Sequence, residues 1–205
     1  MMKQLSFLHT AKVNDELFKN LMAGRNVEHR HVLRDDLLNR AEEAGEFTEE
    51  LNAQTQDVLT ELAADADAVL LTCSTLGPAA DALGRPDILR IDRALAEQAV
   101  KGGGSVAVLV AVETTIEPTK ALFEEAAAKT GALIELVMVE GAWPRFRAGD
   151  FDAYAAKIAD CARAQTADVI ALAQASMAPA AALVPEKMVL SSPDAGLAAA
   201  LKLLG

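Results

Sequence analysis

A thiol followed by two hydroxyls, Cys73-Ser74-Thr75, comes straight after the apolar run Ala68–Leu71, and a helix is predicted to begin near Leu76. A sulfur in the first turn of a helix meets unpaired backbone N–H groups and the positive end of the helix dipole. Both favour the thiolate, which is the reactive form. The same N–H groups, with the Ser74 and Thr75 hydroxyls, can bind a carboxylate beside the sulfur. The chemistry on offer is proton transfer to or from a small acid, or addition to it. Read alone, the turn is equally consistent with a small apolar residue closing a strand.

The turn occurs twice. Residues 67–83 read DAVLLTCSTLGPAADAL and residues 168–184 read DVIALAQASMAPAAALV. In register they share Asp67/Asp168, Leu71/Leu172, Pro78/Pro179, Ala79/Ala180 and Ala80/Ala181. Each copy reads as a buried strand, a polar turn and the start of a helix. The second turn is Gln174-Ala175-Ser176, so Gln174 stands where Cys73 stands in the first. Glutamine can orient a ligand by hydrogen bonds but exchanges no proton near neutral pH. It is either a ligand contact or a buried amide satisfied by backbone.

Other candidates lie at predicted strand ends. His9 and Thr10 follow the first strand, and Thr114 and Thr115 follow the strand that opens the second half. Thr115 can cap the helix carrying Pro118 and still reach a ligand. His9 is either a second proton donor or a hydrogen-bonded structural residue. His29 and His31 alternate on a strand and point to one face. A metal needs further ligands that the spacing does not supply, so no metal is expected. Cys161 falls on the inward stripe of a helix over 150–164 and reads as structural. Arg145 and Arg147 flank Phe146 in a segment that reads as a loop, either solvated or clamping an acid. No GxGxxG, Walker-type loop or HExxH is present, which disfavours nucleotide and zinc chemistry.

These residues must be positioned by alternating strands and helices. Strands are predicted at Gln4–Leu8, His31–Leu33, Ala68–Thr72 and Ile88–Ile91, then at Val106–Ala111, Leu133–Val139, Val169–Ala173 and Met188–Leu190. Thr48 can cap one helix and Asp150 another; Asp194 opens the last. Alternation of this kind predicts α/β architecture with parallel sheets covered on both faces. Gly102-Gly103-Gly104 separates two series of four strands. The expected division is 1–92 plus 192–205 for the first α/β subdomain and 93–191 for the second. Ligands of open α/β sheets bind at the carboxyl ends of strands, which places the expected site in a cleft between the halves.

The formal charge of −11 over 205 residues argues against nucleic acid or an anionic membrane as partner. No apolar run reaches the length of a membrane span, and the N-terminus is too short for a signal peptide. Two distant cysteines suggest no disulfide framework, and a cytoplasmic protein is expected.

The Thr72-Cys73-Ser74-Thr75 turn, the related turn of the second half, the threonines after the central strand and the segment HRHVLRDDLL resemble the aspartate/glutamate/hydantoin racemase family. That family also includes maleate isomerase and arylmalonate decarboxylase. The resemblance implies two α/β subdomains related by a pseudo-twofold axis, no cofactor, a small carboxylic acid as ligand, and a homodimer or higher homo-oligomer. It implies one cysteine from each half, on opposite faces of the substrate's α-carbon. Cys73 matches the first, Ser74 and Thr75 the carboxylate-binding pair, and Thr114 the threonine after the central strand. Gln174 falls at the second cysteine, so two-thiol racemisation is not available. Three readings remain: an isomerase or decarboxylase-like enzyme with one active thiol, a racemase whose other base is not cysteine, or a degenerate relative that binds a small carboxylate without turnover.

Overall fold

The structure, a computed structural model, describes residues 2–205. The chain divides into two compact units. One runs up to Ile91 and takes back Gly196–Gly205; the other is Asp92–Ala195.

The first unit holds β1 (Gln4–His9), α1 (Lys12–Met22), β2 (Glu28–Leu33), α2 (Asp35–Ala44), α3 (Glu49–Ala64), β3 (Ala68–Leu71), α4 (Gly77–Leu83) and β4 (Ile88–Arg90). Its sheet is wholly parallel in the order β2-β1-β3-β4. Leu5, Phe7, Phe18, Leu51, Leu59, Leu70 and Leu71 form its interior. A strand covered by helices on both sides has no polar face, so β3 reads Ala-Val-Leu-Leu without alternation.

The second unit begins with α5 (Ile91–Val100) and continues with β5 (Ser105–Val110), α6 (Ile116–Ala127), β6 (Leu133–Met138), α7 (Ala142–Arg147), α8 (Phe151–Ala164), β7 (Val169–Leu172) and β8 (Val189–Ser191). Its order is β6-β5-β7-β8, the same topology again. Leu95 and Val100 of α5 pack with Val106, Val108, Leu122 and Phe123 on one side of this sheet. Tyr154, Ile158, Leu172 and Met177 pack on the other. The chain closes with α9 (Ser192–Leu204), whose residues from Gly196 onward belong to the first unit. Gly196 is required there: a Cβ would lie 2.7 Å from the Ile91 carbonyl oxygen.

The repeat extends to its side chains. Asp67 accepts from the Gln4 backbone N–H at 2.9 Å, and Asp168 from that of Ser105 at 2.8 Å. Each carboxylate thereby ties the foot of the third strand of its unit to the foot of the first. Thr48 and Asp150 cap α3 and α8 through their side chains, as the sequence predicts. Three local expectations need correction. The second turn leads into a 3-10 helix over Ala175–Leu183, where the first leads into the α-helix α4. Residues 142–147 form α7 rather than a loop: Trp143 and Phe146 stack with ring centroids 4.6 Å apart, and Phe146 packs on Tyr154. Thr115 precedes α6 but makes no side-chain cap bond. Among the described residues no helix is long and apolar enough to cross a membrane.

Candidate active site

In sheets of this order the chain reverses its winding direction between the first and third strands, and ligands bind outside their carboxyl ends. In the first unit those ends are His9-Thr10 after β1 and Thr72-Cys73-Ser74-Thr75 after β3. All six of these residues are buried. The Thr10 and Thr75 side chains and the backbone N–H groups of Thr75 and Leu76 hydrogen-bond the Cys73 sulfur. The expected ring of donors is therefore present. The expected thiolate is not: burial outweighs the donors and pushes the Cys73 pKa above its ordinary value, so the resting group is a neutral thiol. Asn14, at the start of α1, adds a buried amide oxygen with no hydrogen-bond partner.

Behind the thiol lies a chain of imidazoles. The Thr72 hydroxyl donates to the Leu8 carbonyl, so the His9 Nδ1–H donates to Thr72 Oγ1 at 2.9 Å. His9 Nε2 meets His31 Nδ1 at 2.9 Å, and His31 Nε2 meets His29 Nδ1 at 2.9 Å. The parallel register sets His31 opposite Phe7, two residues below His9 on the same side of β1. Phe7 and His31 stack at 4.6 Å, and Phe18 tilts against Phe7 and His9. Enclosure in this aromatic packing lowers the His9 pKa to about 3 and the His31 pKa to about 4; their mutual proximity and the His31–His29 proximity act in the same direction. Asp15 of α1 adds a carboxylate oxygen 3.5 Å from His31 Nδ1 and 4.0 Å from His9 Nε2. Sequence spacing supplied His29 and His31 as a pair but gave no sign that His9 and Asp15 would join them, since the three elements meet only in the folded unit.

In the second unit the corresponding strand ends carry Ala111 after β5 and Ala173-Gln174 after β7. Gln174 Oε1 accepts from the Ala111 backbone N–H at 2.5 Å. That bond fixes the amide and turns its nitrogen away from Ala111. Ala175 is buried, and the Ser176 hydroxyl pairs with Tyr154 OH at 2.9 Å. Thr114 and Thr115 lie in a 3-10 turn over Glu113–Thr115, with Thr115 buried. Cys161 is half-buried on α8, against the core as expected.

No protein-family model matches the chain, and comparison with curated proteins finds no match. Solved structures do match, over nearly all of it. The aspartate racemase of Picrophilus torridus superposes with a TM-score of 0.77 at 14% identity, covering 98% of this chain and 93% of that one. An aspartate racemase homologue from Pyrococcus horikoshii OT3 gives 0.67 at 14% identity, with 98% and 99% covered. A glutamate racemase from Thermus thermophilus gives 0.69 at 13% identity, with 98% and 80% covered. Two parallel four-stranded α/β units in one chain are thus an arrangement that this protein has in common with aspartate and glutamate racemases, and theirs is the fold it adopts.

Proposed function

We propose that this protein is a cofactor-independent, racemase-like isomerase or decarboxylase-like lyase that acts on a small carboxylic acid through a single thiol, Cys73. The observation that carries the reading is the setting of that sulfur: two hydroxyls and two backbone N–H groups converge on it at the carboxyl edge of β3. A buried neutral thiol suits a proton donor. When an enolate-like carbon takes the proton from Sγ, the electron pair left on sulfur is met by four donors already in place. Solvent returns the proton after product leaves. Ser74, next in the chain after Cys73, supplies a hydroxyl for the substrate carboxylate. Gln174 in place of a second thiol argues against two-cysteine racemisation, because an amide exchanges no proton near neutral pH.

A second reading, a carboxylate-binding protein without turnover, is favoured by the same Gln174. Incubation with aspartate, glutamate, maleate and an arylmalonate in D₂O, followed by NMR, separates the two. Deuterium at the α-carbon, geometric isomerisation or decarboxylation, each lost in Cys73→Ser, supports the enzyme. Saturable binding of these acids with no turnover of any of them supports the binding protein and refutes the thiol mechanism.

A further inference from the structure

The buried polar cluster of the first unit is not something the fold requires. The two units match position by position: Gln4 and Asp67 correspond to Ser105 and Asp168, and Phe7↔His31 in the first sheet corresponds to Val108↔Leu136 in the second. With that register His9, Asp15, His31 and Thr72 correspond to Val110, Ile116, Leu136 and Ala173. The same scaffold is therefore built with hydrocarbon at all four places. Enclosing two imidazoles and a carboxylate where aliphatic residues suffice costs desolvation that hydrogen bonds or a bound ligand must offset, and Asp15 Oδ1 has no hydrogen bond.

Their geometry says which ligand. His9 Nε2, His31 Nδ1 and Asp15 Oδ1 are separated by 2.9, 3.5 and 4.0 Å. A point about 2 Å from all three atoms exists, which is the bond length of zinc to imidazole nitrogen and carboxylate oxygen. The opposite atom of each group is held from behind, as the outer partners of metal ligands are. His9 Nδ1 is on Thr72 and His31 Nε2 on His29. Asp15 Oδ2 is on Lys19 at 2.8 Å. With His9 protonated on Nδ1 toward Thr72 and His31 on Nε2 toward His29, each of the three atoms keeps a lone pair for an ion, whose binding replaces the His9–His31 hydrogen bond. Asp15 Oδ1 itself is a buried oxygen with no hydrogen-bond partner. The Lys19 ammonium lowers affinity for a cation, and in return it fixes Oδ1 inward.

We infer that His9, His31 and Asp15 form a binding site for a borderline divalent transition-metal ion of the zinc class, joining β1, β2 and α1. Two imidazoles and one carboxylate favour such an ion over the oxygen-seeking magnesium or calcium. Three protein ligands leave a fourth position for water; His9 also positions Thr72, which precedes the thiol, so the ion would stiffen the strand ends that carry Cys73.

The test uses the full chain, stripped with a chelator and titrated with zinc(II) and with cobalt(II). One equivalent is expected to bind, to raise Tm, and to give a cobalt d–d spectrum without the intense near-ultraviolet band of thiolate ligation. Asp15→Asn is expected to weaken binding at least a hundredfold, and His29→Ala, which removes only an outer partner, about tenfold. The Cys73→Ser and Cys161→Ser variants are expected to bind as the parent does. Absence of saturable binding, a thiolate band, or parental affinity in Asp15→Asn overturns the assignment. Should Asp15→Asn fail to fold, the parent's cobalt spectrum and the His29→Ala affinity decide. Magnesium producing the same Tm shift as zinc also overturns it.

Discussion

Removing protons from solvent should stabilise this protein over a pH range set by two rings. His9 and His31 are held neutral by enclosure, with pKa values near 3 and 4 against an ordinary 6.5. Asp15 favours their charged forms, while Lys19 and the neighbouring imidazoles oppose them. A folded-state pKa below the unfolded value means that the unfolded chain binds more protons as pH falls, so stability is present above pH 6.5 and is lost below it. At pH 5 both rings are still neutral in the folded protein, and the loss depends only on the unfolded titration. Two groups with unfolded pKa near 6.5 then remove about 4 kcal/mol between pH 7 and pH 5, against a total of about 5–15 kcal/mol for a typical domain. Carboxylates held low by their partners, such as Asp36 beside Arg34, act mainly below that window. Urea unfolding at 25 °C, at half-unit steps from pH 7.5 to 5 with chelator present, reads the slope directly. His9→Val/His31→Leu, which gives the first unit the residues of the second, should flatten it. A parent protein whose unfolding free energy changes by less than about 1 kcal/mol across the range, or a double variant that keeps the slope, refutes the reasoning.

Three further outcomes follow from single sites. Alkylation of Cys73 by iodoacetamide should be slower than that of a free thiol at pH 7 and should still be rising above pH 9, because burial holds the proton on; a plateau below pH 8, read by peptide mass spectrometry, contradicts this. Gly196→Ala gains about 1 kcal/mol of helix propensity but drives a methyl into the Ile91 carbonyl, 2.7 Å away, at a cost of about 1–3 kcal/mol; the net should be a lowered Tm, and an unchanged or raised one indicates that α9 shifts freely. Thr48→Ala removes the 3.3 Å cap bond to Leu51 N and should cost about 1 kcal/mol in chemical denaturation, with Thr48→Asp restoring it.

Much of the architecture was readable because it rests on local signals. Runs such as Ala68–Leu71 and Val106–Val110 are apolar without alternation, which only doubly covered strands need, and all eight predicted strands overlap observed ones. The paired Asp67 and Asp168 gave the repeat. Segment 142–147 misled because its helix is held by the packing of Phe146 on Phe151 and Tyr154 of α8 rather than by propensity. The sulfur's donors followed from a turn after a strand, whereas its protonation state depends on burial, which no spacing encodes. The histidines were half legible: β2 periodicity paired His29 with His31, but Asp15 reaches them from α1 and His9 from the neighbouring strand.

The assignment of Gly196–Gly205 to the first unit has a consequence for synthesis. Asp92–Ala195 is contiguous, so that unit can close as soon as its own residues have emerged from the ribosome. The other must wait, with the surface that receives Leu197, Ala200 and Leu204 bare, until translation delivers a helix encoded more than one unit later. The half begun first is completed last.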